Sequence, residues 1–325
     1  MRQIALIFLL LAGLVNATTY YVTADADGSG DGSVSTPWTI SQAINALDST
    51  ASPYLQPGDV VKIKAGTHTI PSTLLTGDYD GLITNSITFV GCDASWNEKS
   101  PTYNSTTKRW DFTDCVQIDT TSYGLSITNS DYVNFKYIYF YSATGRNGAL
   151  ASVGTGCFVY RCKFQNGNSS ANAACFFSGT QNRVIECEFG ATGTNAIYAA
   201  YVGAYVLFYG CVVYDSPTVG MAIGSSAARI ENCLVFGVDG ACISNTSTGG
   251  SYGNIEKCTL VGGTYGFYGG DTTWTSFHHI IECVITGAST RSIYYSNATG
   301  GILFAINNHI YNNTNDAISW SGQLI

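Results

Sequence analysis

Residues 230–235 read Ile230-Glu231-Asn232-Cys233-Leu234-Val235, residues 255–260 read Ile255-Glu256-Lys257-Cys258-Thr259-Leu260, and residues 280–285 read Ile280-Ile281-Glu282-Cys283-Val284-Ile285. Each unit is an apolar residue, two variable positions, a cysteine, a spacer and a second apolar residue. The unit extends backwards to Cys162, Cys187 and Cys211, and Asn308 fills the slot after Cys283; the successive spacings are 25, 24, 22, 25, 25 and 25 residues. Self-similarity at such a period marks one supersecondary unit stacked on copies of itself. The flanks keep step. Val159, Val184, Phe208, Ile230, Ile255, Ile280 and Ala305 stand three residues before each slot, and Phe164, Phe189, Val213, Val235, Leu260, Ile285 and Ile310 stand two after it.

From about Val60 the chain reads as short strands divided by Gly, Asn and Ser turns. A second, shorter strand recurs in each repeat: Ala196-Ile197-Tyr198, Gly220-Met221-Ala222, Ala241-Cys242-Ile243, Gly266-Phe267-Tyr268, Ser292-Ile293-Tyr294 and Ala317-Ile318-Ser319. Strands this short are not stable singly; stacking in register completes their hydrogen bonds and buries the inward column. Inward positions that lie three apart and then two apart call for a two-residue bend just before each cysteine. At the other end, Trp38, Ile40, Ala43, Ile44 and Leu47 fall at helical spacing. They predict a short helix covering the open end of the stack, where apolar core and unpaired backbone would otherwise meet water. Asp93 to Asp114 breaks the rhythm and reads as a loop inserted on one coil.

Met1-Arg2-Gln3 followed by the apolar run Ile4 to Val15 reads as a secretory signal peptide cleaved after Ala17. The run is shorter than the roughly 20 residues a membrane span needs. The expected organisation is therefore a signal peptide at 1–17, an N-terminal strand and capping helix at 18–59, and the solenoid at 60–325, with the mature protein secreted or otherwise extracytoplasmic. Only 11% of the 325 residues are charged and the net charge is −8. That balance excludes nucleic acid as a natural partner, and signal cleavage leaves no membrane segment. Eleven cysteines in an exported chain suggest disulfides, but the period places six of them in an inward ladder, where thiols act as small apolar fillers. Neighbouring rungs stand about 4.8 Å apart, so bridges between rungs stay open as an alternative. No CxxC pair or Cys/His cluster points to a metal.

The chain resembles the right-handed parallel β-helix superfamily that includes the pectate lyases. The resemblance rests on the opening Tyr20-Tyr21-Val22, Pro37-Trp38-Thr39-Ile40, Ala43-Ile44 and Pro57-Gly58-Asp59-Val60-Val61-Lys62-Ile63-Lys64-Ala65-Gly66-Thr67, on the coil repeat, and on the Asn/Gly bends. It implies an all-β fold, a right-handed single-stranded parallel β-helix with a short N-terminal capping helix. The Asn-Thr-Asp, Asp-Asp and His-Gly motifs of polygalacturonases are absent. So are the clustered Asp residues of a calcium-dependent lyase; no cofactor is expected, and calcium stays an alternative without a motif.

Aligning the shorter strands puts Phe176, Tyr198, Tyr268 and Tyr294 in one outward column with Ala222, Ile243 and Ser319. A row of flat rings suits stacking against sugars, with the Tyr hydroxyl for orientation. Asp239, Tyr265, Arg291 and Asp316 lie just before the inward residue of that strand. Arg291 could neutralise a uronate carboxylate while Tyr265 takes the proton alpha to it; Asp at such corners also serves turns. Glu231 and Glu256 project from neighbouring rungs at about the separation a retaining glycosidase uses, although Arg229 and Lys257 offer a plain salt-bridge patch instead. His278 and His279 point to opposite faces of one strand. Two readings follow. One is a polysaccharide-binding or polysaccharide-degrading protein, lyase- or glycosidase-like, engaging glycan on the tyrosine face; the other is a non-catalytic surface or virion-type adhesin or scaffold. The chain stops at Ile325 without a polar cap, so further chain, a partner or self-association is expected at that end.

Overall fold

The computed structural model describes residues 17–70, 74–75, 81, 85–120, 125–127, 130–142, 150–167, 173–177, 179–191, 198–202, 205–224, 227–245, 252–269, 277–295, 302–314 and 318–320. The expected signal peptide lies outside them, apart from Ala17. So do Asp316 and the side chains of Phe176 and Tyr198. No helix among the described residues is long and apolar enough to cross a membrane.

The chain winds as a right-handed parallel β-helix. Among the described residues, three parallel sheets of eleven, ten and ten strands form its sides; after the opening strand Thr19–Val22, each coil contributes one strand to each. The first sheet runs from Thr19–Val22 to Ile302–Ile306, the second from Gly66–Ile70 to His309–Tyr311, and the third from Leu74–Leu75 to Ile318–Trp320. The sequence columns are the register of the sheets. Val159, Val184, Phe208, Ile230, Ile255, Ile280 and Ala305 pair rung to rung in the first sheet. Phe164, Phe189, Val213, Val235, Leu260, Ile285 and Ile310 do so in the second. Inward rings continue the stack: Phe140, Phe164 and Phe189 have successive centroids 5.1 Å apart, tilted by 1° and 13°.

The bend between the first and second sheets centres on one residue in the left-handed region. Arg161, Glu186, Asn232, Lys257, Glu282 and Asn307 have φ between 48° and 54°, and Gly210 has 64°. Such a conformation costs a non-glycine residue roughly 1–2 kcal/mol. The corner offsets this with hydrogen bonds to the next coil: the Glu186 N–H donates to the Tyr209 carbonyl (2.8 Å), Asn232 to Glu256 (3.0 Å) and Lys257 to Ile281 (2.9 Å). The cysteine that follows is buried, and its thiol donates to a carbonyl of the preceding coil, as from Cys211 to Val184 (3.4 Å) and Cys283 to Ile255 (3.6 Å). Asn308 holds the same slot with an amide: its Nδ2 donates to the Ile280 carbonyl (2.8 Å), and its Oδ1 accepts from Cys283 N (2.9 Å).

All eleven cysteines are free and buried. Burial pushes the Cys162 and Cys242 thiols up to about 12, and those of Cys92 and Cys115 to about 11. The thiolate is the reactive form, so at pH 8 the native protein should give almost no colour with Ellman's reagent and the guanidinium-unfolded protein should titrate all eleven thiols. Rapid native reaction of several cysteines would contradict a dry column.

At the N-terminal end the predicted helix is real but short, Ile40–Asn45. Thr39 and Gln42 form a capping box, with Gln42 N to Thr39 Oγ1 at 3.2 Å and Thr39 N to Gln42 Oε1 at 2.8 Å. Trp38, Ile40, Ala43, Ile44 and Leu47 are all buried, so the apolar face does close the stack. The insertion read as a loop contains an antiparallel hairpin, Thr102–Asn104 with Arg109–Asp111. Asn104 Oδ1 accepts from Thr106 N (2.9 Å) and Thr107 N (3.1 Å), turning the chain, and the Tyr103 and Trp110 rings meet across the strands at 5.2 Å.

Candidate functional site

On the third sheet the register sets Phe176, Tyr201, Ala222, Ser244, Tyr268, Tyr294 and Ser319 in one column. Two members of the expected row are displaced. Tyr198 belongs to the column of Val219, Ala241, Tyr265 and Arg291. Ile243 is fully buried in register with Met221 and Phe267, and Ser244 takes the place expected for it. The cause is physical. Residues 241–245 are buried on both sides of the strand, so hydrophobicity does not alternate there and the inward parity cannot be read from it.

Tyr268 and Tyr294 stand in register, with rings 5.4 Å apart and 23° from parallel. Tyr265 reaches both, at 5.0 Å from Tyr268 and 5.5 Å from Tyr294, and the Arg291 guanidinium lies 5.1 Å from the Tyr294 ring centroid. All four side chains are half-buried, presenting a patch two rungs deep with three phenols and one cation. Burial, and then the neighbouring phenols Tyr294 and Tyr265, push the Tyr268 hydroxyl above its ordinary range.

The other candidates do not join this patch. Asp239 is exposed in the turn before the strand Ala241–Asn245, where its carbonyl accepts from Thr264 N (3.1 Å) and Oγ1 (2.9 Å). Glu231 and Glu256 are register partners on the first sheet. Each is engaged within its own strand: Glu231 pairs with Arg229, and Glu256 Oε1 accepts from Asn254 Nδ2 at 2.5 Å. His278 is buried beside Asn245 (3.3 Å) while His279 faces outward against Phe304. Among the described residues, no three His, Cys, Asp or Glu converge as a metal site requires.

A model of the right-handed β-helix region matches residues 102–268, just over half of the chain. The chain belongs to the right-handed β-helix family. Solved structures similar to this β-helix include a pectate lyase, Pel9A, at 16% identity with a TM-score of 0.58, covering 97% of this chain and 83% of that one. A rhamnogalacturonan lyase follows at 12% identity and a TM-score of 0.50, covering 93% and 87%. Pectin methylesterase from Aspergillus niger stands at 15% identity and 0.50, covering 94% and 91%. At such identities the likeness is one of fold. No curated protein matches the chain.

One constellation of this β-helix leaves almost no trace in its sequence. Glu188 is 0% exposed on the outer side of the second sheet, beneath the inserted hairpin. Its Oε1 lies 3.4 Å from both Arg109 Nε and Lys163 Nζ, and its Oε2 accepts from Trp110 N at 2.7 Å. The Arg109 guanidinium lies over Tyr214, 3.4 Å from the ring centroid. Tyr214 in turn covers Gly190, its register partner, where a Cβ would come within 2.7 Å of the ring. With no solvent contact and three donors, Glu188 fastens the hairpin and is shut off from any ligand. The one signal in the sequence is that Lys163 precedes Glu188 by the repeat length, and Arg109 stands 79 residues away.

Proposed function

We propose that this β-helix is an exported polysaccharide-binding protein whose glycan contact is the third-sheet patch of Tyr265, Tyr268, Tyr294 and Arg291. The observation that carries the reading is the half-exposed ring trio on adjacent rungs, with all three centroids within 5.5 Å of one another. Rings packed only for the core would be fully buried, as Phe267 is. Flat ring faces suit the C–H faces of sugars, and the phenol and guanidinium edges supply hydrogen bonds to hydroxyls. The polysaccharide-related names of the similar solved structures are consistent with a glycan partner, and the apolar run near Met1 with export.

A glycan array with the mature protein tests this directly. Tyr268→Ala with Tyr294→Ala should weaken binding about thirtyfold, at roughly 1 kcal/mol per ring, without lowering the unfolding midpoint appreciably. Unchanged affinity would remove the platform from the reading. Assays for unsaturated products and new reducing ends run alongside would separate binding from cleavage.

A further inference from the structure

The outer face of the first sheet carries a second row, apart from the third-sheet patch. Phe158, Arg183, Leu207, Arg229, Asn254 and His279 stand in register on successive coils. Two clefts open along it. One, of about 560 Å³, is walled by Tyr132, Phe158, Arg183, Tyr205 and Leu207. The other, of about 470 Å³, is walled by Arg229, Tyr252, Asn254, Phe277 and His279. Leu207 and Arg229 are register partners, so the clefts abut and form one trough parallel to the solenoid axis.

Its surface alternates flat rings with planar polar groups. Tyr205 is 62% exposed and Tyr252 is 51% exposed. Tyr252 and Phe277 lie parallel to within 2°, with centroids 5.3 Å apart, making an apolar shelf two rungs long. Along the trough, His279 and the Arg183 and Arg229 guanidinium groups offer in-plane hydrogen bonds. Beside the row, Glu231 pairs with Arg229, and Glu256 Oε1 accepts from the neutral Asn254 amide.

We propose that this trough is a second polysaccharide site, taking a neutral glycan laid along the solenoid axis. An extended chain of rings meets one ring or one planar polar group per rung. A polyanion would face Glu256 and a net charge of −8. A peptide added as a strand would need an open edge, whereas each of these row strands is already paired on both sides. The site stands on a different sheet from Tyr268 and Tyr294 and does not depend on the reading given for them.

Affinity electrophoresis in native gels containing hydroxyethylcellulose, galactomannan or polygalacturonate tests it. At least one of the two neutral polymers should retard the wild type, and high salt should leave that retardation in place. Tyr252→Ala with Phe277→Ala should weaken it about tenfold. Arg183→Ala, at an exposed position, should weaken it too and carries the test if the aromatic pair disturbs folding by circular dichroism. Made in the Tyr268→Ala, Tyr294→Ala background, the trough variants should lose retardation by the same factor. The proposal is overturned if neither neutral polymer retards the protein, if retardation is confined to polygalacturonate or vanishes in salt, or if the loss follows the Tyr268 pair instead of the trough variants.

Discussion

Replacing Glu188 by alanine should cost about 3–5 kcal/mol of stability, the usual penalty for removing one partner of a buried ion pair. Without the carboxylate, Arg109, Lys163 and the Trp110 N–H lose their shared acceptor. The hairpin 102–111 then keeps its ring contacts, chiefly Arg109 over Tyr214 and Trp110 under Arg161. Urea unfolding should shift to a lower midpoint, and trypsin should cut sooner at Lys108 and Arg109 in the folded protein. Glu188→Gln keeps an acceptor for Trp110 N and loses the charge, so its cost should be smaller, about 1–3 kcal/mol. Equal midpoints and equal cleavage rates in wild type and Glu188→Ala would show that the hairpin is held by its rings alone.

Acid should destabilise the fold through a different buried group. Burial first, and the neighbouring His279 second, push His278 down to about 3, against about 6.5 for an unfolded histidine. The fold accepts the neutral ring. Its contribution is whole above about pH 6.5 and is lost as the pH falls towards 3, at on the order of 1 kcal/mol per pH unit. His68 adds to the same limb, since burial lowers it as well, while its Nε2 contacts the Lys64 carbonyl at 2.8 Å. Thermal unfolding measured across this window should fall steeply for the wild type. His278→Gln should be less stable at pH 7 yet show a flatter acid limb. Parallel profiles for the two proteins would assign the acid sensitivity to carboxylates instead.

What the sequence disclosed depended on whether one face of a strand was polar. Around the cysteine slots, inward Val159 to Ala305 alternates with outward Arg, Asn and Glu, and the left-handed corner adds an offset that repeats unchanged. Those two sheets were readable to the residue. In the strand Ala241–Asn245 both faces are covered, so parity was lost and Ile243 was set outward in place of Ser244. Tyr198 slid into the wrong column for the same want of contrast. The hairpin passed for a loop because each strand is three residues long and its support comes from a distant coil. Glu188 stayed hidden for a related reason: a carboxylate in a repeat with many surface acids looks solvated until the chain is folded over it. Tyr268 and Tyr294, one repeat apart, were legible because register alone makes them neighbours.

The left-handed corners have a consequence for how such a protein changes over time. The backbone N–H of each corner binds the coil beside it, through Glu186 to Tyr209, Asn232 to Glu256 and their equivalents, so the corner ladder has no keystone. A whole turn of chain can be copied or excised between matching corners and the remainder still meets. Rows of rings carried on the outside then lengthen or shorten in the same steps, which lets the reach of the surface be set by gene duplication while its grammar stays constant.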